Sequence, residues 1–123
     1  MLKINFLTLN IGLKNNLAGL PTLIFVQKLD LIFLQEVRIG DAQIEQIVGN
    51  GFKCRVNFDA ENLSKPGTAI IWRESLPVDD VFVVVTSRAQ YLVLGNCGFM
   101  NIYAPSGSYK KQERASFFSK DIF

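Results

Sequence analysis

Three polar residues stand where apolar runs end, and their types can share one chemistry: Asn10, Glu36 and Tyr103. An amide oxygen, a carboxylate and a phenol are hard oxygen groups, the kind that gathers around a small divalent cation. Other chemistries drop out early. The chain has no His, so no Ser-His-Asp or Cys-His hydrolase can be assembled within it. It has no P-loop sequence and no GxGxxG, which removes two common phosphate cradles. Its two cysteines, Cys54 and Cys97, lack CxxC spacing. With no His beside them they cannot form a zinc finger, and they read as buried free thiols.

Each of the three residues also has a plainer reading. Glu36 follows the apolar run Leu31-Ile32-Phe33-Leu34, so its carboxylate needs a partner. A metal ion is one; Arg38, two residues on, is another. Asn10 either orients a metal ligand or hydrogen-bonds its own backbone in a turn before Gly12. Tyr103 either serves chemistry or is a packed aromatic with a wet hydroxyl. Taken singly, none of these pairs is decided.

The elements that must position them follow from periodicity. Residues 4–11 read as a buried strand ending at Gly12. Residues 21–29 read as a helix with Pro21 in its first turn, and residues 31–34 as a second buried strand. Asp41 is the expected N-cap of a helix over 42–48. Residues 52–58 alternate like a half-exposed strand, and 59–66 form a polar loop. Further strands are expected over 67–72, 78–86, 91–94 and 99–103. A last helix is expected over 108–123, with Ala115, Phe118 and Ile122 on one face. The early β-α-β unit calls for parallel strands and the later run for antiparallel ones. The expected fold is α/β (α+β): a mixed sheet with helices on one face. All three candidate residues then sit at strand C-terminal ends, where α/β sheets open a shared crevice.

At 123 residues, 49% of them apolar and 20% charged, the chain has the composition of one globular domain. A net charge of +2 permits contact with nucleic acid without arguing for it. Lys110, Lys111, Arg114 and Lys120 read either as a steering patch or as a solvated helix face. Lys28 and Asp30 break the longest apolar run, so no membrane span is expected. The first thirteen residues read as a strand, not a signal peptide. The chain stops inside an apolar helical pattern. Val83, Val85, Ile71 and Ile102 cannot all face one way in a single sheet, so a bare apolar face, and self-association through it, are expected.

Four segments in order resemble the endonuclease/exonuclease/phosphatase superfamily. Leu7-Thr8-Leu9-Asn10-Ile11 is similar to its opening strand, Asp30 to Glu36 to its second with the Gln-Glu pair, and Gly67-Thr68-Ala69-Ile70-Ile71 to its central strand. Asn101-Ile102-Tyr103-Ala104-Pro105 is similar to the strand carrying its catalytic Tyr. The Tyr-Ala-Pro strand, with Arg114 and Phe117-Phe118 after it, most resembles the apurinic-type endonuclease domain of non-LTR, LINE-like retrotransposons. The resemblance implies a partial four-layer α/β sandwich, with residues 1–123 the N-terminal part of one domain truncated at its C-terminus. It implies Mg2+ (or Mn2+) as cofactor and DNA as substrate for phosphodiester hydrolysis. Glu36 would ligate the metal, Asn10 would help hold metal and phosphate, and Tyr103 would approach the scissile phosphate. A retroelement nuclease would act in the nucleus. The family's later Asp-x-Asn and Asp-His motifs are absent from the sequence. Negligible nuclease activity is therefore expected of this chain alone, since general acid–base help is typically worth 10²–10⁴-fold. Two alternatives stay open: a phosphatase or phosphodiesterase acting on another phosphate ester, and a non-enzymatic remnant or interaction module.

Overall fold

The computed structural model describes residues 3–12 and 17–104. In chain order the elements are β1 (Phe6–Asn10), α1 (Leu20–Gln27), β2 (Leu31–Val37), α2 (Asp41–Val48), β3 (Phe52–Asn57), β4 (Gly67–Arg73), β5 (Asp80–Val85), β6 (Ala89–Leu94) and β7 (Cys97–Ile102). The helix expected over 108–123, with its basic residues, lies outside the described residues.

The strands form two sheets, not one. The first is four-stranded in the order β1-β2-β4-β3, with β1 parallel to β2 and the other pairs antiparallel. The second is an antiparallel meander, β5-β6-β7. This explains the uninterrupted apolar run of β2. Ile32 and Leu34 pack under the helices with Leu20, Ile24 and Ile44. Leu31 and Phe33 point the other way, into a second core with Val81, Leu92 and Leu94. β4 divides likewise, Ala69 and Ile71 toward the helices and Ile70 toward the second sheet. Where a strand is buried on both faces its residues read as an unbroken apolar run. Burying each large aliphatic side chain contributes about 1.5–3 kcal/mol.

The expected mixed sheet with helices on one face is therefore present, and the fold is α/β. The expected bare face is not on that sheet. Ile71 belongs to the first sheet, whereas Val83, Val85 and Ile102 belong to the second, which covers the first. The apolar row left outward is Phe82, Tyr91 and Met100, in register across the second sheet, with Phe82 and Met100 exposed. Helices, first sheet and second sheet make three of the four expected layers.

Pro21 lies in the first turn of α1, as expected. Asp41 does not cap α2: Gly40 is the N-cap and Asp41 the first helical residue. The Asp41 carboxylate instead accepts the backbone N–H of Val56 at 2.7 Å. β3 is an edge strand, and an edge leaves backbone donors that a nearby carboxylate can satisfy.

Gly67, which opens β4, is held by a close approach. A Cβ there would stand 2.1 Å from the carbonyl oxygen of Asn57. Backbone cannot yield as a flexible side chain does, so overpacking destabilises. Gly67→Ala is expected to lower stability by about 1–3 kcal/mol in urea denaturation. An unchanged midpoint would show that the β3–β4 pairing relaxes at no penalty.

Candidate active site

The C-terminal ends of β1, β2 and β7 meet at one end of the sandwich. β1 and β2 run parallel, with Asn10 opposite Gln35. β7 is tied to β2 at the same level by Asn101. Its amide Nδ2 donates to the carbonyls of Leu34 (3.0 Å) and Ala69 (2.9 Å). Its Oδ1 accepts Gln35 Nε2 at 2.8 Å. Asn101 is buried, so these bonds join the two sheets away from solvent.

Glu36 lies one residue beyond, at a β-bulge where the β2–β4 register shifts between Gln35 and Val37. Its φ is 57°, in the left-handed region that non-glycine residues rarely occupy. Such a conformation costs on the order of 1–3 kcal/mol and gathers at functional sites. A bulge re-aims its side chain. Here the half-buried carboxylate is brought toward Gly12, just past β1. Gly12 also has a positive φ, and its N–H donates to Asn10 Oδ1 at 2.9 Å. This is the turn that the sequence reading allowed for Asn10. A Cβ on Gly12 would stand 3.9 Å from Glu36 Oε2 and 4.0 Å from Asn10 Oδ1. Both oxygens thus approach one point beside Gly12.

Tyr103 comes two residues after Asn101, just past β7. Its N–H donates to the Arg88 carbonyl at 2.7 Å, and Arg88 Nη1 donates to the Tyr103 carbonyl at 3.2 Å. The Arg88 guanidinium lies over the phenol ring, 4.8 Å from its centroid. Cation–π contact of this kind contributes about 0.5–2 kcal/mol and holds the ring in one orientation. The structure therefore gathers Asn10 and Glu36 about Gly12 and anchors Tyr103 at the end of the neighbouring strand.

Sequence reasoning missed the polar layer beneath this end. Asn57 Nδ2 donates to the carbonyls of Val85 (3.0 Å) and Ala89 (3.2 Å), and its Oδ1 accepts the Ser87 N–H at 2.9 Å. Gln90 Nε2 donates to the Arg55 carbonyl at 2.9 Å. For Gln90 and Asn101 the available signal was an amide inside an otherwise apolar strand. Buried amides persist only when bonded, so these two could have been marked as bridging residues. Asn57 ends β3, where Lys53 and Arg55 alternate with apolar residues, and gave no such signal.

Neither thiol adds a nucleophile to this end. Cys54 is pushed up to about 12 by burial, with the Asp41 and Glu45 carboxylates and a hydrogen bond to Asp41 adding to the effect. It stays a thiol at neutral pH, and the thiolate is the nucleophilic form. Cys97 is exposed where β7 begins, next to the turn from β6. Among the described residues no three His, Cys, Asp or Glu side chains cluster as a metal cage. No described helix is long and apolar enough to cross a membrane.

No protein-family model matches the chain, and no curated protein matches it in sequence. Solved structures do. The chain is similar to the AP endonuclease LMAP from Leishmania major, with a TM-score of 0.70 at 17% identity over 95% of this chain and 44% of that one. It is similar to a humanized D. rerio TDP2, with a TM-score of 0.64 at 15% identity, covering 95% of this chain and 57% of that one. It is also similar to the Xenopus laevis APE2 catalytic domain, with a TM-score of 0.62 at 14% identity, covering 90% and 48%. The chain shares its fold with these three structures. The chain spans about half the length of these structures.

Proposed function

We propose that the chain is the N-terminal half of a Mg2+-dependent phosphodiester hydrolase acting on DNA. One observation carries the reading: the Glu36 and Asn10 side-chain oxygens approach one point beside Gly12, where the ends of β1 and β2 meet the end of β7. One fold neighbour, LMAP from Leishmania major, is an AP endonuclease, which agrees in class. The retrotransposon-type assignment rests on the Tyr103-Ala104-Pro105 and Arg114 to Phe118 sequence alone. Self-association through Phe82 and Met100 belongs to the same proposal.

The donor set suits magnesium. Mg2+ takes one or two carboxylates, keeps several waters and accepts substrate phosphate oxygens, and so needs no protein cage. Glu36 would supply the carboxylate and Asn10 Oδ1 a neutral oxygen, its other lone pair being held by the Gly12 N–H. Bound there, the ion would supply Lewis-acid polarisation of a phosphoryl oxygen. The protein's own part is positional. The strained bulge presents Glu36, the Gly12 turn orients Asn10, and Arg88 steadies Tyr103 for approach to the phosphate.

Mn2+ binding to the 123-residue chain, followed by electron paramagnetic resonance, tests this without any turnover. Glu36→Gln is expected to weaken binding about tenfold or more, the loss of a charged ligand exceeding that of an outer-shell partner. Equal binding by the native chain and Glu36→Gln would sink the reading.

A further inference from the structure

Beside Glu36, between the end of β2 and the loop from β3 to β4, lies a recess of about 260 Å³. Val37 and Ile39 form its floor, Phe58 and Leu63 its apolar wall, and Arg38 and Lys65 its charged border. Phe58 is 45% exposed and Leu63 74% exposed. Large apolar side chains this open, next to two cations, are not explained by the core. The loop is held in shape by its own bonds. The Asn62 N–H donates to the Asp59 carbonyl, and the Lys65 N–H to the Asn62 carbonyl, both at 3.1 Å. Ser64 Oγ bonds Asn62 Oδ1 at 2.7 Å. Arg38 Nη1 donates to the Ser64 carbonyl at 3.0 Å, fastening the loop to the segment that follows Glu36. Of the loop's two acids, neither lines the recess, and Asp59 Oδ1 accepts the Glu61 N–H.

We infer that this recess is a subsite for one unpaired nucleobase of a DNA strand, with Arg38 and Lys65 holding the flanking phosphate. The inference rests on the phosphodiesterase reading and extends it. The volume is below the roughly 300–1,000 Å³ of sites that enclose a drug-sized ligand, so it takes one planar group and not a stretch of strand. An exposed ring bordered by cations is how single strands are held. Stacking is sequence-tolerant and the charges follow the backbone. The recess begins at Val37, one residue from Glu36, so a base seated here belongs to a nucleotide next to the phosphate at Glu36. The strand is thereby positioned from the β2–β4 side, opposite the β7 side that carries Tyr103.

The test is fluorescence anisotropy of the 123-residue chain with a labelled single-stranded DNA of about 12 nucleotides, in EDTA so that no cleavage or metal contributes. Phe58→Ala is expected to weaken binding about fivefold or more and to leave heparin binding, which offers charge without bases, unchanged. Phe58→Trp should restore affinity. Lys65→Ala should flatten the salt dependence by about one unit for both ligands. A fully paired duplex should bind more weakly than the single strand. Leu63→Gln, at an open position, repeats the test should Phe58→Ala disturb folding. The subsite is overturned if neither wall nor border substitution changes DNA affinity. Equal loss of DNA and heparin binding in Phe58→Ala, or a folded native chain that binds no single strand, overturns it as well. Mn2+ titration of the same protein in EDTA-free buffer separates the two ideas. Glu36-dependent Mn2+ binding without DNA binding overturns the subsite alone. Phe58-dependent DNA binding without Mn2+ binding overturns the metal reading alone.

Discussion

Asn101→Asp is expected to destabilise the protein by about 3–5 kcal/mol at neutral pH, the range for an uncompensated buried charge. The exchange keeps the volume, so no cavity arises. What changes is a donor that becomes an acceptor. The Asn101 amide now gives its hydrogens to the carbonyls of Leu34 and Ala69, with Gln90 Oε1 at 3.4 Å as a third acceptor. A carboxylate there would face all three with negative charge and no water. Gln35 Nε2, the donor at 2.8 Å, is its one compensating contact among these. The sign of the pH dependence follows. Burial disfavours the charged form of a carboxyl in that place, so the folded state keeps its proton to higher pH than the unfolded chain, which releases it above about pH 3.9. Stability then falls as pH rises through that value and levels off only above the folded-state titration. Urea denaturation followed by the single Trp, Trp72, measures both effects. A loss under about 1 kcal/mol would mean that the two sheets are not joined through this amide.

Glu36→Gly and Glu36→Ala are expected to lose metal affinity together and to differ in stability. At φ 57° a side chain costs on the order of 1–2 kcal/mol that glycine does not. Glycine's extra freedom in the unfolded chain offsets about 0.4–1 kcal/mol of that. Both variants lose the carboxylate and the contacts it makes, so Glu36→Gly should be as stable as Glu36→Ala or up to about 1 kcal/mol more so, while Mn2+ affinity falls about a hundredfold or more in both with the whole ligand removed. Residues held in strained conformations for function show this trade. If Glu36→Gly were less stable than Glu36→Ala by about 0.5 kcal/mol or more, the strain argument would fail.

Much of the architecture was legible in the chain. The apolar run Leu31-Ile32-Phe33-Leu34 declared a strand buried on both faces, because such a strand reads as an unbroken apolar run. Pro21 marked the start of α1, since its ring suits the first helical turn. The strand-end positions of Asn10 and Glu36 were readable because a polar group that interrupts an apolar run must be satisfied or used. These are local signals, carried by period and by residue chemistry within a few positions.

Other features depended on distance in the chain and were decided by the tertiary structure. Strand patterns in β5, β6 and β7 are the same whether they extend the first sheet or stack upon it. The register of Asn101 against Leu34 and Gln35, over sixty residues away, settles that. Asp41 looked like a helix cap from its neighbours, yet the edge of β3 offered its carboxylate a better partner in Val56. The meeting of Glu36 with Asn10 over Gly12 needed both the parallel β1–β2 pairing and a bulge at a left-handed residue. Only the packing of the whole sandwich holds a glutamate in that conformation, so no window of sequence could announce it.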